Sequence, residues 1–192
     1  IVTGCAAQIE PKTFSDMKEV DVVSGNLEKR DIKKLIADDG SNTKINVSNI
    51  LENKQKLNGL VDGYDNRSRA FIEIQNGCNH RCTFCIIPYG RGNSSSKSVK
   101  NIINEINLML EKGHKEIVLT GVDIASWGHD LESKSNLGFL INKILKGCPN
   151  LSRLKLSSMD VIGFDEQLLE IIASEKRILP HLHLSLQAGD NM

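Results

Sequence analysis

From Phe71 onward the chain alternates short β-prone runs with amphipathic helical stretches, and this rhythm limits the possible folds more than any other feature. Strand signals lie at residues 71–75, 116–121, 153–157 and 181–187. Between them, residues 98–112 place Val99, Ile102, Ile103 and Ile106 at helical spacing, and residues 137–146 do the same with Leu137, Leu140, Ile141, Ile144 and Leu145. A third helix starts at Asp165, whose carboxylate suits an N-cap, and carries Leu168, Leu169, Ile171 and Ile172. Strands separated by helices must run parallel with right-handed crossovers, which predicts an α/β fold. The four βα units fit an open sheet or a partial (βα) barrel, where they would make half of the eight-unit closed form.

The strand faces favour the barrel. His181, His183, Ser185 and Gln187 alternate with Leu182, Leu184 and Leu186, and Glu73 with Gln75 and Lys155 with Ser157 repeat the polar alternation. In a barrel the leucines would pack under helices and the polar side chains would line a lumen able to take a ligand. The competing reading is a half-solvated strand of an antiparallel sheet.

Residues 1–40 show a strand, helix, strand pattern and then an amphipathic helix over 27–37, as part of a small α/β domain would. Residues 41–69 are rich in Asn, Lys, Asp and Gly and read as linker, with a possible strand at 45–50. The expected division is therefore 1–66, the end of an N-terminal domain plus linker, and 67–192, the first half of a barrel. The chain begins at Ile1 and stops just past a strand signal, so it is expected to be a piece of a longer protein.

Charge is balanced, with 24 Lys and Arg against 24 Asp and Glu, but Arg67, Arg69, Arg81, Arg91, Lys97 and Lys100 face only Glu73 between residues 67 and 100. Such a patch suits a carboxylate, a phosphate or nucleic acid, and equally a solvated surface. No run approaches the roughly 20 apolar residues of a membrane span. Five cysteines, three of them clustered, fit metal binding in a reducing compartment better than a disulfide scaffold, and the cytoplasm is the expected location.

The cluster is Cys78, Cys82 and Cys85, spaced C-x3-C-x2-C directly after the first strand of the repeat. Structural zinc normally takes four protein ligands. Three thiolates on one loop instead suit an iron-sulfur cubane with one iron open to an outside ligand. Zinc with His80, or cysteines packed simply as small apolar side chains, are the competing readings.

The residues then match a family. Cys78, Cys82, Phe84 and Cys85 resemble the radical S-adenosylmethionine (SAM) motif. The segments Thr3-Gly4-Cys5-Ala6-Ala7-Gln8, Arg69-Ala70-Phe71, Gln75-Asn76-Gly77-Cys78, Ile86-Ile87-Pro88-Tyr89, Arg91-Gly92 and His183-Leu184-Ser185-Leu186-Gln187 resemble the methylthiotransferases, above all the branch acting on threonylcarbamoyl-adenosine beside the tRNA anticodon.

The resemblance implies that Cys78, Cys82 and Cys85 ligate a [4Fe-4S] cluster whose open iron binds SAM. It implies that Phe84 packs near the adenine, that the strand end with Gly121 and Asp123 lies near the SAM amine, and that Ser157, Ser185 and Gln187 face the same lumen. A deoxyadenosyl radical would take hydrogen from adenine C2, sulfur would be inserted, and a second SAM would methylate it. Cys5 would be one ligand of an auxiliary [4Fe-4S] cluster whose other two cysteines are expected upstream. The implied partners are tRNA and an electron donor such as a flavodoxin or ferredoxin.

The chain departs from the family pattern after Gly92, where many relatives carry a further arginine and Lys97 is the nearby base. The usual C-terminal RNA-binding domain is also missing, so the chain alone is expected to be inactive. Rival expectations are methylthiolation of isopentenyl-adenosine or of a ribosomal-protein aspartate, and a non-catalytic iron-sulfur or zinc module. Asp123, Trp127, His129 and Asp130 share a loop after the second strand, where barrel enzymes place chemistry, although such loops are often only solvated.

Overall fold

The computed structural model describes residues 1–37, 44–52 and 67–186, together with Leu57, Gly63 and Gly189. Its contacts form two compact units, Ile1–Gln55 with Gly77–Asn93, and Lys56–Asn76 with Ser94–Met192. The cysteine loop thus groups with the N-terminal residues, whereas a division by sequence order at 66/67 places it with the barrel.

The first unit contains β1 (Val2–Thr3), α1 (Cys5–Ile9), α2 (Pro11–Ser15), β2 (Val23–Ser24), α3 (Ile32–Ala37), β3 (Ile45–Asn46) and α4 (Ile87–Arg91). Its strands form a parallel sheet in the order β1-β2-β3. Pro11 stands at the start of α2, where its missing N–H costs nothing. Ala7, Val20 and Val23 make a small core with Val2, Phe14 and Val47 against it. The strand expected at 45–50 stops at Asn46, because Ile50–Glu52 closes into a 3-10 turn. The helix expected over 27–37 is regular only from Ile32, after a 3-10 turn at Glu28–Asp31.

The second unit runs β4 (Arg69–Asn76), β5 (Ser95–Ser96), α5 (Val99–Glu111), β6 (Glu116–Gly121), α6 (Leu137–Gly147), β7 (Arg153–Leu156), β8 (Met159–Asp160), α7 (Glu166–Ser174) and β9 (Leu184–Ser185). The main sheet has the order β5-β4-β6-β7, with β4, β6 and β7 parallel and short β5 antiparallel to β4. The partial (βα) barrel is therefore present.

Its helices begin where side-chain caps appear: Ser98 Oγ accepts from Asn101 N at 3.3 Å, Asn136 Oδ1 from Phe139 N at 2.9 Å and Asp165 Oδ1 from Leu168 N at 2.7 Å. Ile72, Ile74, Ile117, Leu119, Leu154 and Leu156 on the strands pack against Ile102, Ile106 and Met109 of α5 and Leu140, Ile141 and Ile144 of α6. Among the described residues no helix is long and apolar enough to cross a membrane.

The fourth strand differs from its expected form. Instead of a continuous strand over 181–187, the return from α7 meets the sheet twice. Ile178 bridges Leu154, and β9 then pairs in parallel with β8. Pro180 lies between these contacts and has no N–H for a ladder. The leucine face expected under helices is exposed: Leu182 is 39%, Leu184 41% and Leu186 85% accessible. No element among the described residues covers it, and Gln187 lies outside them.

Lys97, the base that follows the departure after Gly92, is internal. Its Nζ lies 2.6 Å from Glu105 Oε2 of α5, and the two side chains are 2% and 1% exposed. Removing one charge from such a pair leaves the other desolvated. Lys97→Met should therefore lower stability by about 3–5 kcal/mol, whereas Lys97→Met with Glu105→Leu should recover most of the loss. Urea unfolding of the variants checks this, and equal losses in the single and double variants would contradict it.

Candidate functional site

The cysteine loop starts where β4 ends. Gly77 has φ +73°, and a Cβ there would strike the Asn93 carbonyl, so only glycine fits this turn without strain. Cys78 N then donates to Gly92 O at 3.0 Å, closing the base of the loop. Arg81 braces it from within, donating to the carbonyls of Cys78 (2.9 Å) and His80 (3.1 Å) and to Asn93 Oδ1 (2.6 Å). Cys85 N donates to Cys82 O at 3.0 Å, a single turn that brings the second and third cysteines close, and α4 follows at Ile87.

Cys82 is exposed, Cys78 and Cys85 are partly so, and none is in a disulfide. Phe84, between the last two cysteines, is 86% exposed. The loop thus presents three thiols from a backbone pinned at both ends, a donor set suited to an iron-sulfur cluster.

Cys5 belongs to the same unit. It opens α1, which packs on α4, and a Cβ on Gly90 would come within 2.9 Å of Cys5 Cβ and 3.3 Å of its Sγ. The Thr3-to-Gln8 segment and the helix that follows the cysteine loop are therefore direct neighbours.

The second unit gathers polar groups at the carboxyl ends of its strands. Gln75 is buried, and its Oε1 accepts from Asp123 N at 2.7 Å while its Nε2 donates to Ser94 Oγ at 3.0 Å. Gly121 pairs with Gln75, and a Cβ there would lie 2.6 Å from the Gln75 carbonyl, so the strand end needs glycine for close approach. Asp123 Oδ2 accepts from Ser126 Oγ at 2.6 Å. Ser157 follows β7, and its Oγ is buried with no hydrogen-bond partner among the described residues. Ser185 pairs with Asp160 in the separate β8–β9 ladder.

Several expected candidates have structural tasks. Trp127 is fully buried and its Nε1 donates to Lys97 O at 3.0 Å. Asp130 Oδ2 accepts from Ser96 N at 2.9 Å, and His129 is exposed. Arg69 is bound to Glu116 at 2.6 Å though still half exposed, and Arg67, Arg91 and Lys100 are exposed as well. His183 Nδ1 lies 2.8 Å from Ser158 Oγ. Cys148 is fully buried at the end of α6, and burial pushes its thiol up to about 11 despite the opposing pull of Arg177.

Sequence reasoning missed the bracing role of Gln75 and the place of Asn26, whose side chain joins Gly90 O and Cys5 Sγ. The available signals were a glutamine within an apolar strand and the Ser24-Gly25-Asn26 turn composition.

A family model described as the radical SAM superfamily matches residues 72–192. The threonylcarbamoyladenosine tRNA methylthiotransferase MtaB of Rickettsia prowazekii (strain Madrid E) is 45% identical over 194 residues, covering 100% of this chain and 45% of that protein. The protein of the same name from Aquifex aeolicus (strain VF5) is 38% identical over 193 residues, covering 100% of this chain and 46% of its own length. The chain thus spans about half the length of these curated relatives. Among solved structures, the radical S-adenosylmethionine methyltransferase TsrM from Kitasatospora setae, with cobalamin and a [4Fe-4S] cluster bound, aligns with TM-score 0.42 and 19% identity over 54% of this chain and 20% of that one.

The thiol environments predict ordered reactivity. In iron-free protein at pH 8, iodoacetamide should alkylate exposed Cys82 and leave Cys148 intact, because the thiolate is the nucleophile and Cys148 remains protonated. Peptide mass mapping reads this directly, and equal labelling of the two would contradict it. The stability from keeping Cys148 neutral should be complete below the unfolded thiol pKa of about 8.5 and fade as pH rises towards 11.

Proposed function

We propose, since the chain belongs to the radical SAM superfamily, that it forms part of an enzyme that methylthiolates C2 of threonylcarbamoyl-adenosine beside the tRNA anticodon. One observation carries the reading beyond SAM cleavage: Cys5 lies against the helix following the cysteine loop, in one folded unit. A thiol set for one cluster thus has a further sulfur built in beside its supporting helix, as an enzyme with a second, sulfur-handling cluster requires. The 45% identity, over all of this chain and 45% of a protein named for this reaction, supports the substrate.

The residues present fit the cofactors of the superfamily, a [4Fe-4S] cluster and SAM. Cys78, Cys82 and Cys85 would hold the cluster, with the Arg81 braces fixing the carbonyls between them. Exposed Phe84 offers an aromatic face to the adenine. Gly121 and Asp123, fixed through Gln75, would take the amine end of SAM. The buried Ser157 hydroxyl lacks a partner among the described residues and would gain one from ligand. Ser185 is partly buried and would add a further hydroxyl.

Cluster and SAM, when bound, supply one-electron cleavage of the sulfonium and through it hydrogen abstraction from adenine C2. This chain's share is to hold the reacting groups in place and exclude water. Cys5 would contribute one ligand to the auxiliary [4Fe-4S] cluster, with two more supplied from outside the chain. Partners are tRNA and a small electron-transfer protein, and the setting is the cytoplasm.

Nucleoside analysis of tRNA from cells carrying variants of the complete gene tests the reading. Cys78→Ala should abolish both SAM cleavage and the methylthio nucleoside, whereas Cys5→Ala should keep SAM cleavage and lose the nucleoside. Unchanged methylthio-threonylcarbamoyl-adenosine in a strain lacking the gene would overturn the substrate assignment.

A further inference from the structure

The first unit holds a chain of polar side chains that the proposed chemistry leaves unused. Asn26 is 6% exposed. Its backbone N–H donates to Gln8 Oε1 at 2.8 Å, and Gln8 Nε2 donates to Ser48 O at 2.9 Å, so a glutamine held at both ends of its amide anchors the Asn26 backbone. Its Nδ2 donates to the Gly90 carbonyl of α4 and lies 3.7 Å from Cys5 Sγ, within reach of a hydrogen bond to sulfur. At the other end of the amide, Lys29 Nζ donates to Asn26 Oδ1 at 2.6 Å.

This last contact decides the amide's orientation, because an ammonium only donates and must face the oxygen. The two N–H bonds are thereby directed to the two acceptors, Gly90 O and Cys5 Sγ. A positive charge on the carbonyl also polarises the amide and strengthens its N–H as a donor. Gly90 permits the arrangement, since a side chain there would crowd Cys5.

We infer that Asn26, polarised by Lys29, is a positioning residue for Cys5 that fixes its sulfur by a hydrogen bond and tunes the potential of the cluster Cys5 ligates. The inference rests on the reading of Cys5 as a ligand of the auxiliary cluster. A donor to a coordinating thiolate draws charge from the cluster and favours its reduced form, so loss of the donor moves the potential to more negative values. The same amide bond to Gly90 ties this ligand to the helix following Cys85.

The test uses the protein with its complete flanking sequence, reconstituted anaerobically, and reads iron content, EPR-monitored redox titration and iron loss to a chelator. Asn26→Asp exchanges the donor for a carboxylate of the same shape. It should shift the auxiliary cluster's potential negative and speed its iron loss roughly 10–100-fold, leaving the cluster on Cys78, Cys82 and Cys85 unchanged. Lys29→Met should give a smaller shift of the same sign with full iron content. Potentials and iron loss at wild-type values in both variants would overturn the inference. An unshifted Lys29→Met would do so even if Asn26→Asp fails to fold. A Cys5→Ala protein that keeps both clusters would instead remove the reading on which the inference stands.

Discussion

The pairing of β4 with β6 fixes where the functional groups of the second unit lie. Its register runs from Arg69 opposite Glu116 to Gln75 opposite Gly121, with an irregularity between Glu73 and Gln75. Glu116 takes Arg69 from one side and Arg153 from the other, so one carboxylate ties the beginnings of all three parallel strands. At the opposite end, past the irregularity, buried Gln75 accepts from Asp123 N and packs against Gly121. A one-residue slip would exchange the buried Ile72 and Ile74 with Phe71 and Glu73 and undo both ends together.

The cysteines show how one residue type is put to separate uses by its surroundings. Cys148 is sealed in the core, where burial keeps it a neutral thiol. Cys82 and its neighbours stand on a pinned but accessible loop, the setting in which thiolates bind metal. Cys5 is partly buried, as Cys78 and Cys85 are, with an amide aimed at its sulfur.

What was legible in the sequence was whatever is local. The helices were readable because Ile102 and Ile106, or Leu137, Leu140, Ile141 and Ile144, sit at helical spacing and Ser98 and Asp165 supply the caps. The cysteine loop was readable because its spacing lies within eight residues. What depended on distant partners was not. Lys97 follows a polar run and reads as surface, yet Glu105 draws it inside. The alternation of residues 181–187 signals one strand, but the broken pairing around Pro180 depends on β7 and β8. The contact of Asn26 with Gly90 spans 64 positions, and no local pattern announces it.

The central claim is that Cys78, Cys82 and Cys85 hold a cluster with one iron available to SAM. The most direct measurement is the EPR spectrum of the anaerobically reconstituted, reduced protein with and without SAM. The account predicts a [4Fe-4S] component that changes on adding SAM and is lost in Cys82→Ala, while the component from the auxiliary cluster remains. Spectra wholly indifferent to SAM, or a SAM-responsive component that survives Cys82→Ala, would contradict it.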